Sequence, residues 1–135
     1  QLTTDDDGRV VVAFADLPEA LTDGANRREA LADARDALEE ALAARVQRGE
    51  ELPQPSPARG RAVVSPGALI AAKAALCLAI RAENISGREL ARRLGVFEAE
   101  VRRRRDPRHH SHIDALEAAL GALGRRLVVE SREVA

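Results

Sequence analysis

A run of alternating prolines divides this chain and limits what either side of it can fold into. Pro53, Pro55 and Pro57 lie within residues 50–62, EELPQPSPARGRA. Proline lacks a backbone N–H and has a fixed φ, so this segment is predicted to be a stiff, extended connector rather than a helix or a strand. We therefore expect two small units. They are residues 1–52 and residues 66–135, joined by a linker over 53–62.

The N-terminal unit is predicted to begin with a small antiparallel sheet. Asp7-Gly8 is a typical hairpin turn, and a β-branched, apolar run follows it from Val10 to Phe14. A short third strand is expected over 19–22, ended by Asp23-Gly24. Residues 61–65 are expected to return to this sheet as an edge strand.

One helix is predicted to follow the sheet. Asn26 is its expected N-cap, Glu29 occupies the capping-box position, and Gly49 ends it. Its apolar side chains recur at helical spacing and form a single stripe. They are Leu31, Ala34, Leu38, Ala41 and Leu42.

The C-terminal unit carries the pattern of a helix-turn-helix between Ser86 and Asp106. Ser86 and Glu89 are spaced as a capping box, and Gly95 can end the first helix in a left-handed conformation. The apolar residues expected to hold the two helices together are Leu90, Ala91, Leu94 and Val101. In this motif the second helix typically enters the major groove of DNA.

Two more helices are predicted to flank this motif, over 69–81 and 113–123. Ser111 and Asp114 are spaced as a capping box for the later one. The predicted fold class is therefore α+β, with a small antiparallel sheet and one helix followed by an all-α unit. A terminal strand that pairs across a homodimer is expected at Leu127, Val128 and Val129.

The formal net charge of −1 hides an uneven distribution along the chain. Residues 1–57 contain 13 acidic and 6 basic side chains, a net charge of −7. Residues 58–135 contain 15 basic and 9 acidic side chains, a net charge of +6. Such a division indicates two partners of opposite character, or simply two soluble units that differ.

Composition excludes several classes of protein. The single cysteine, Cys77, cannot form an internal disulfide, and its apolar neighbours favour a buried helical thiol over a nucleophile. No apolar run is long enough for a membrane span, and no signal-peptide pattern is present, so a cytoplasmic protein is expected. The chain has no methionine and begins at Gln1, so the native start is expected to be missing.

The ordered series of segments resembles the HicB family of bacterial antitoxins, in the branch with a helix-turn-helix tail. The segments are Asp5–Gly24, Glu29–Leu42, Leu52–Pro57, Ala71–Leu76, Glu89–Val96 and Arg105–Val129. The resemblance implies a partial RNase H-like N-terminal domain that occludes a small basic RNase toxin of the HicA type. It also implies a Cro/repressor-like C-terminal domain that binds operator DNA, and a homodimer or higher oligomer. Neither an enzyme activity nor a cofactor is expected.

Within this framework we expect two binding surfaces. The predicted toxin-binding residues are Asp16, Leu17, Glu19 and Leu21. Arg88 and Arg92 are predicted to contact the DNA backbone, and Arg102 and Arg103 its phosphates. The residues expected at the bases are Phe97, Glu98 and Glu100. There are two alternatives. Glu98 and Glu100 would only complement the helix dipole, and Arg102 and Arg103 would be part of a solvated run of charges.

Two arginines depart from the family pattern, which usually has leucines at Arg104 and Arg105. These positions follow Val101 by three and four residues, on the inner face of the helix. One arginine is therefore expected to point toward the core. Its stem would lie along apolar surface with its head in water, or it would pair with Asp106 or Asp114.

The histidines and the N-terminal acids are not expected to form catalytic or metal sites. His109 aligns with a family histidine and is expected to pack or cap before the last helix, or to contact phosphate. His109, His110 and His112 lie in one loop without a nearby cysteine, so no metal site is expected. Three of the four acids at Asp5, Asp6, Asp7 and Asp16 lie in a turn, which argues against a two-metal nuclease.

The sequence favours the first of three functions, and the other two are alternatives to it. The first is an antitoxin that both neutralises its toxin and represses its own operon. The second is a stand-alone repressor whose N-terminal domain dimerises or senses a ligand. The third is a neutraliser that keeps the helix-turn-helix only for dimerisation.

Overall fold

A computed structural model of the chain describes residues 1–133 and divides into two compact units, one of Gln1–Ala71 and one that begins at Ala72. The described residues form one three-stranded antiparallel sheet and five helices, so the predicted α+β class is confirmed. The strands are β1 (Leu2–Thr4), β2 (Val10–Ala13) and β3 (Leu21–Gly24). The helices are α1 (Arg27–Arg48), α2 (Ala68–Glu83), α3 (Gly87–Leu94), α4 (Glu98–Arg105) and α5 (Ile113–Ala122).

The predicted hairpin is present in the first unit. β1 pairs with β2 so that Leu2 lies opposite Val12, and Gly8 in the turn has a φ of 78°. β3 pairs with the other edge of β2 and begins two residues later than expected. Asp23-Gly24 lies inside this strand instead of ending it, because Gly24 pairs with Val10 in the ladder.

Gly24 also determines how closely the sheet approaches α1. A Cβ atom at this position would lie 2.4 Å from the backbone nitrogen of Ala30, closer than any real contact. Ala30 is fully buried, as is Ala34 one turn later. Only glycine therefore fits where β3 passes the first turn of the helix.

The two ends of α1 agree with the sequence prediction. Asn26 Oδ1 accepts a hydrogen bond from the Glu29 N–H at 3.0 Å, and Glu29 Oε2 accepts one from the Ala25 N–H at 3.3 Å. Gly49 ends the helix with a φ of 66°. These contacts satisfy backbone groups that would otherwise lack a partner at the helix ends.

The core of the first unit includes two small apolar clusters. Val12 packs with Ala30 and Ala34, whereas Leu17 and Ala20 pack with Leu38 and Ala41. Val64 lies against both clusters. The predicted edge strand over 61–65 is absent from the described sheet, so Val64 contributes packing without ladder hydrogen bonds.

The first unit continues past the predicted linker. Ser56 donates two hydrogen bonds to Asp16 Oδ2, from N–H at 2.9 Å and from Oγ at 3.0 Å. Farther along, the Gly67 N–H donates to Glu39 Oε1 on α1. These bonds hold the proline-rich segment against the sheet and helix that precede it.

In the second unit the two helices predicted around Gly95 are present. Ser86 Oγ accepts from the Glu89 N–H at 3.1 Å, and Gly95 has a φ of 66° at the end of α3. Leu90 and Val101 are 0% and 1% exposed and lie in the core of this unit. The Ser86 cap and the Gly95 turn therefore correctly predicted where α3 begins and ends.

At the C-terminal end the predicted cap of α5 is wrong, whereas the predicted strand at residues 127–129, expected to pair across a homodimer, is not tested by a single chain. The N-cap of α5 is His112 rather than Ser111, because the Ser111 hydroxyl is used inside the unit. Residues 127–129 lie in irregular chain and form no strand within the part of the protein that the structure describes. A strand there would need a partner strand that this single chain does not supply.

Candidate functional site

The surface around α4 contains an unusually exposed aromatic side chain. Phe97 is the N-cap residue of α4 and is 86% exposed. It follows the turn at Gly95, while Val101 farther along α4 points into the core. Glu98 is exposed in the first turn of α4, where a carboxylate complements the helix dipole. The structure thus brings Phe97 and Glu98 together at the start of the helix.

The predicted DNA-contacting arginines differ in their surroundings. Arg88 on α3 and Arg102 on α4 are exposed, and neither forms an ion pair with any residue that the structure describes. Arg92 and Arg103 are also exposed but are paired with carboxylates on their own helices. Of the four arginines predicted to contact the DNA backbone, two are therefore unpaired and two are already paired with carboxylates.

Glu89 binds two arginines on α3. Its carboxylate accepts from Arg92 Nε and Nη2 at 2.9 and 2.7 Å, and from Arg93 Nε at 3.1 Å. These hydrogen bonds lower the pKa of Glu89 to about 2. One carboxylate thus partly neutralises two positive charges.

Glu100 has a similar role on α4. It accepts a hydrogen bond from Arg103 Nη2, and this bond lowers the pKa of the Glu100 carboxyl. The prediction that Glu100 reaches a base is untested, but the structure shows it engaged with its neighbour. Glu98 has no such ion pair among the described residues.

A buried lysine, which the sequence analysis missed, supports the end of α4. Lys73 on α2 is 1% exposed. Its Nζ donates to the carbonyl oxygens of Arg103 and Asp106 at 3.1 and 2.6 Å, and to Ser111 Oγ at 2.9 Å. Burial lowers the pKa of this ammonium group. The isolated lysine in the apolar stretch AAKAAL was the sequence signal for such a buried contact.

The loop after α4 also holds His109. Its Nδ1 lies 3.1 Å from Ser111 Oγ, and its backbone N–H donates to the Asp106 carbonyl at 3.1 Å. His109 thus contributes to the loop that joins α4 to α5, but the N-cap of α5 is His112. A phosphate contact by its exposed ring remains a prediction. No cluster of three metal-ligating side chains occurs among residues 1–133.

Arg104 is the arginine that turns toward the interior of the second unit. Its Nε and Nη1 atoms are buried and have no hydrogen-bond partner in the described structure. Neither expected arrangement is therefore complete, because these two atoms are buried and donate no hydrogen bond to an acid among the described residues. Cys77 is half-buried on α2, and burial raises the pKa of its thiol, which favours the unreactive neutral form.

The four predicted toxin-binding residues have different environments in the first unit. Leu17 is 3% exposed and belongs to the core, so it is not a surface residue of this unit. Asp16 is occupied by Ser56, and these hydrogen bonds lower the pKa of the Asp16 carboxyl. Glu19 accepts two hydrogen bonds from Arg45 on α1, one of them at 3.1 Å. Only Leu21, at 63% exposure, is a freely accessible apolar side chain.

Other exposed groups are available for partners. Asp33 and Asp36 lie on the solvent side of α1 and form no ion pair with described residues. In the second unit Val128 and Val129 are 78% and 77% exposed, and Leu127 is half-buried. Their predicted role in dimerisation stays a prediction. No described helix has the length and apolar content to cross a membrane.

Comparison with known proteins identifies the family. The model of the HicB-like antitoxins of bacterial toxin–antitoxin systems matches residues 1–75. Antitoxin HicB 2 of Photorhabdus laumondii is 43% identical over 116 residues, which cover 86% of this chain and 83% of that protein. Antitoxin HicB of Escherichia coli K12 is 36% identical over 127 residues, which cover 93% and 92%. Antitoxin HicB of Pseudomonas fluorescens is 39% identical over 124 residues, which cover 90% and 85%.

These matches confirm the resemblance derived from the sequence. The family model covers more than half of the chain, and the relatives align over most of both proteins. All three relatives are named as antitoxins, in agreement with the expectation that the chain is not an enzyme. The chain belongs to the HicB family of antitoxins of bacterial toxin–antitoxin systems.

Proposed function

We propose that this antitoxin occludes a HicA-type, mRNA-cleaving toxin through its first unit and represses its own operon through α3 and α4. Family membership supports the antitoxin role and implies a toxin partner. The observation that carries the DNA-binding role is the exposed start of α4, where Phe97 is 86% exposed. An apolar side chain exposed at the start of such a helix can contact the C5-methyl group of thymine in the major groove.

The uneven distribution of charge supports different binding partners for the two units. A toxin that cleaves RNA needs a basic surface to hold its substrate, and residues 1–57 have a net charge of −7. Opposite charges of this size accelerate association and favour the correct partner. The surface that we propose for the toxin comprises Glu19, Leu21, Asp33 and Asp36; Leu17 is left out because it is buried.

The DNA contacts that we propose begin with the unpaired arginines. Arg88 and Arg102 are free to bind phosphates, which is the sequence-independent part of recognition. Phe97 would contact the C5-methyl group of thymine, and Glu98 would accept a hydrogen bond from N4 of cytosine. The phosphate contacts would position α4, and the two residues at its start would select the bases.

A second copy of the chain completes the proposal. We infer that residues 127–129 pair between two copies and place two α4 helices about one DNA turn apart. In this arrangement the first unit is a partial RNase H-like domain and the second a Cro/repressor-like domain. Both targets, operator DNA and the toxin, would be met in the bacterial cytoplasm.

Co-purification tests the first half of the proposal. The chain is expressed with the product of the adjacent reading frame, and the eluted pair is assayed for RNA cleavage before and after removal of the antitoxin. We expect a tight complex whose partner cleaves RNA only when released. Failure of the two proteins to associate would contradict neutralisation and would favour the stand-alone repressor.

Titration of the upstream DNA at several salt concentrations tests the second half. We expect a shift whose affinity falls as salt rises, since phosphate contacts release counterions. A chain that neutralises its toxin but binds no upstream DNA would instead be a neutraliser alone.

A further inference from the structure

The basic side chains on α3 and α4 are not equally available to phosphates. Arg88 and Arg102 have no ion-pair partner among the described residues, whereas Arg92, Arg93 and Arg103 are paired with glutamates. The paired set is held by two carboxylates within the same two helices. A charge count of this surface therefore overstates its free positive charge.

The pairs on α3 have well-defined geometry. Glu89 is only 32% exposed as a side chain and contacts Arg92 through both nitrogens of one edge of the guanidinium group. Two-point contacts of this kind are stronger and more directional than a single ion pair. The third bond, to Arg93, places a second guanidinium group on the same carboxylate.

The pair on α4 includes one of the predicted phosphate contacts, Arg103. Glu100 and Arg103 are three residues apart, a spacing that brings side chains together on a helix surface. Arg102 is adjacent in sequence and remains unpaired. One helix thus presents a free guanidinium group next to one that already has a counter-charge.

An arginine that is already paired contributes little to phosphate binding. A free arginine that meets a phosphate releases a cation from the DNA, and this release drives sequence-independent affinity. A paired arginine must first leave its carboxylate, which then stays near the phosphates and repels them. The net gain from such a contact is small.

We propose that Glu89 and Glu100 are specificity-determining residues that suppress sequence-independent DNA binding by holding Arg92, Arg93 and Arg103. This inference rests on the DNA-binding role proposed above. Phosphate affinity then comes from Arg88 and Arg102, and a larger share of the binding energy comes from base contacts at the start of α4. The two glutamates raise the ratio of specific to non-specific affinity without touching a base.

The test compares the parent chain with Glu100→Gln and Glu89→Gln on a random duplex and on the upstream DNA. Glutamine keeps the size of the side chain and removes its charge. The control is Glu117→Gln, which removes an exposed charge on α5 that forms no ion pair among the described residues. Circular dichroism and thermal melting establish that each variant is folded.

Each freed arginine should steepen the dependence of log K on log salt by about 0.9. On this slope the random-duplex affinity of Glu100→Gln gains about 3.5-fold more than that of the parent between 200 and 50 mM salt. The affinity for the upstream DNA should rise less, so the ratio of specific to non-specific affinity should fall. A Glu100→Gln, Arg103→Ala double variant should return to the parent slope, and Glu117→Gln should match the parent.

The outcomes separate this inference from the proposed function. A parent chain that binds DNA, with unchanged slopes in both glutamine variants, would overturn the inference and leave the function standing. A parent that binds no DNA, with variants that bind the random duplex, would support the inference and contradict operon repression. If neither the parent nor the variants bind DNA, both are overturned.

Discussion

At the scale of single residues, Arg104 is the clearest conflict between sequence and packing. It lies one turn after Val101, and its Nε and Nη1 atoms are buried without a partner. A buried donor that loses water and gains nothing costs about 1–3 kcal/mol. The second unit tolerates this cost in a core built from leucine, valine and alanine side chains.

Replacement of Arg104 by leucine should therefore stabilise the protein. The apolar side chain would fill the same space and remove the unpaired donors, so we expect the free energy of unfolding to rise by about 1–3 kcal/mol. Urea denaturation followed by circular dichroism measures this free energy of unfolding. Arg102→Leu, at an exposed position on the same helix, should leave the midpoint nearly unchanged. A lower midpoint for Arg104→Leu would mean that the guanidinium group has a stabilising contact.

Phe97 leads to a prediction about DNA chemistry. If its ring contacts a thymine methyl group, deoxyuridine in place of thymidine in the upstream site should weaken binding by the parent chain. The loss should be small, since one methyl contributes about 0.8 kcal/mol when buried. Phe97→Ala should bind both duplexes equally. Equal weakening by deoxyuridine in the parent and the variant would show that another residue reads the methyl group.

At the scale of elements, the ends of the helices determine much of the second unit. α3 begins at a serine cap and ends at Gly95, and α4 ends where Lys73 binds the carbonyl oxygens of Arg103 and of the C-cap residue Asp106. A positive charge at a helix C-terminus interacts favourably with the negative end of the helix dipole. Short helices of eight residues depend on such contacts because they have few internal hydrogen bonds.

The α3 ion pairs should give acid-sensitive stability. Glu89 has a pKa of about 2 in the folded chain against an ordinary value of 4.5, so its contribution is complete above pH 4.5 and is lost as pH falls toward 2. We expect the difference in Tm between the parent and Glu89→Gln to be largest near pH 6 and to shrink below pH 4.5. A difference that stays constant down to pH 2.5 would contradict the pairing, and Glu117→Gln serves as the control.

Local signals predicted the elements well, and long-range contacts did not follow from them. The Asp7-Gly8 turn, the Asn26 cap and the Gly95 stop each depend on a few neighbouring residues. Ser111 was misassigned because its hydroxyl binds Lys73, which is 38 residues away. The bounds of β3 depended on pairing with Val10, and the burial of Leu17 on packing against Leu38. No pattern in neighbouring residues specifies contacts of this kind.

At the scale of the whole molecule, the two units differ in charge and in how that charge is used. In the first unit Asp16 and Glu19 stabilise the fold through Ser56 and Arg45, so their reversal would disturb the unit itself. Asp33 and Asp36 are exposed and unpaired among the described residues. The charge available to a partner is thus better tested on α1 than at the residues first predicted.

The corresponding prediction concerns toxin association. Asp33→Lys with Asp36→Lys should slow association with the toxin and weaken binding, because the reversed charges repel a basic partner. Surface plasmon resonance at low and physiological salt measures the rate. Upstream DNA binding should be retained, which serves as the internal control. An association rate equal to that of the parent would exclude this face of α1 as the toxin surface.

The contact between Gly24 and α1 has a consequence for how the sequence can vary. A side chain at Gly24 would meet the backbone of Ala30, whereas Gly8 needs only a left-handed conformation and has open space around it. Asparagine adopts that conformation at modest cost, so Gly8→Asn should survive where Gly24→Ala fails. In a selection for cells that survive toxin expression, Gly8 would tolerate asparagine, while Gly24 would tolerate no replacement.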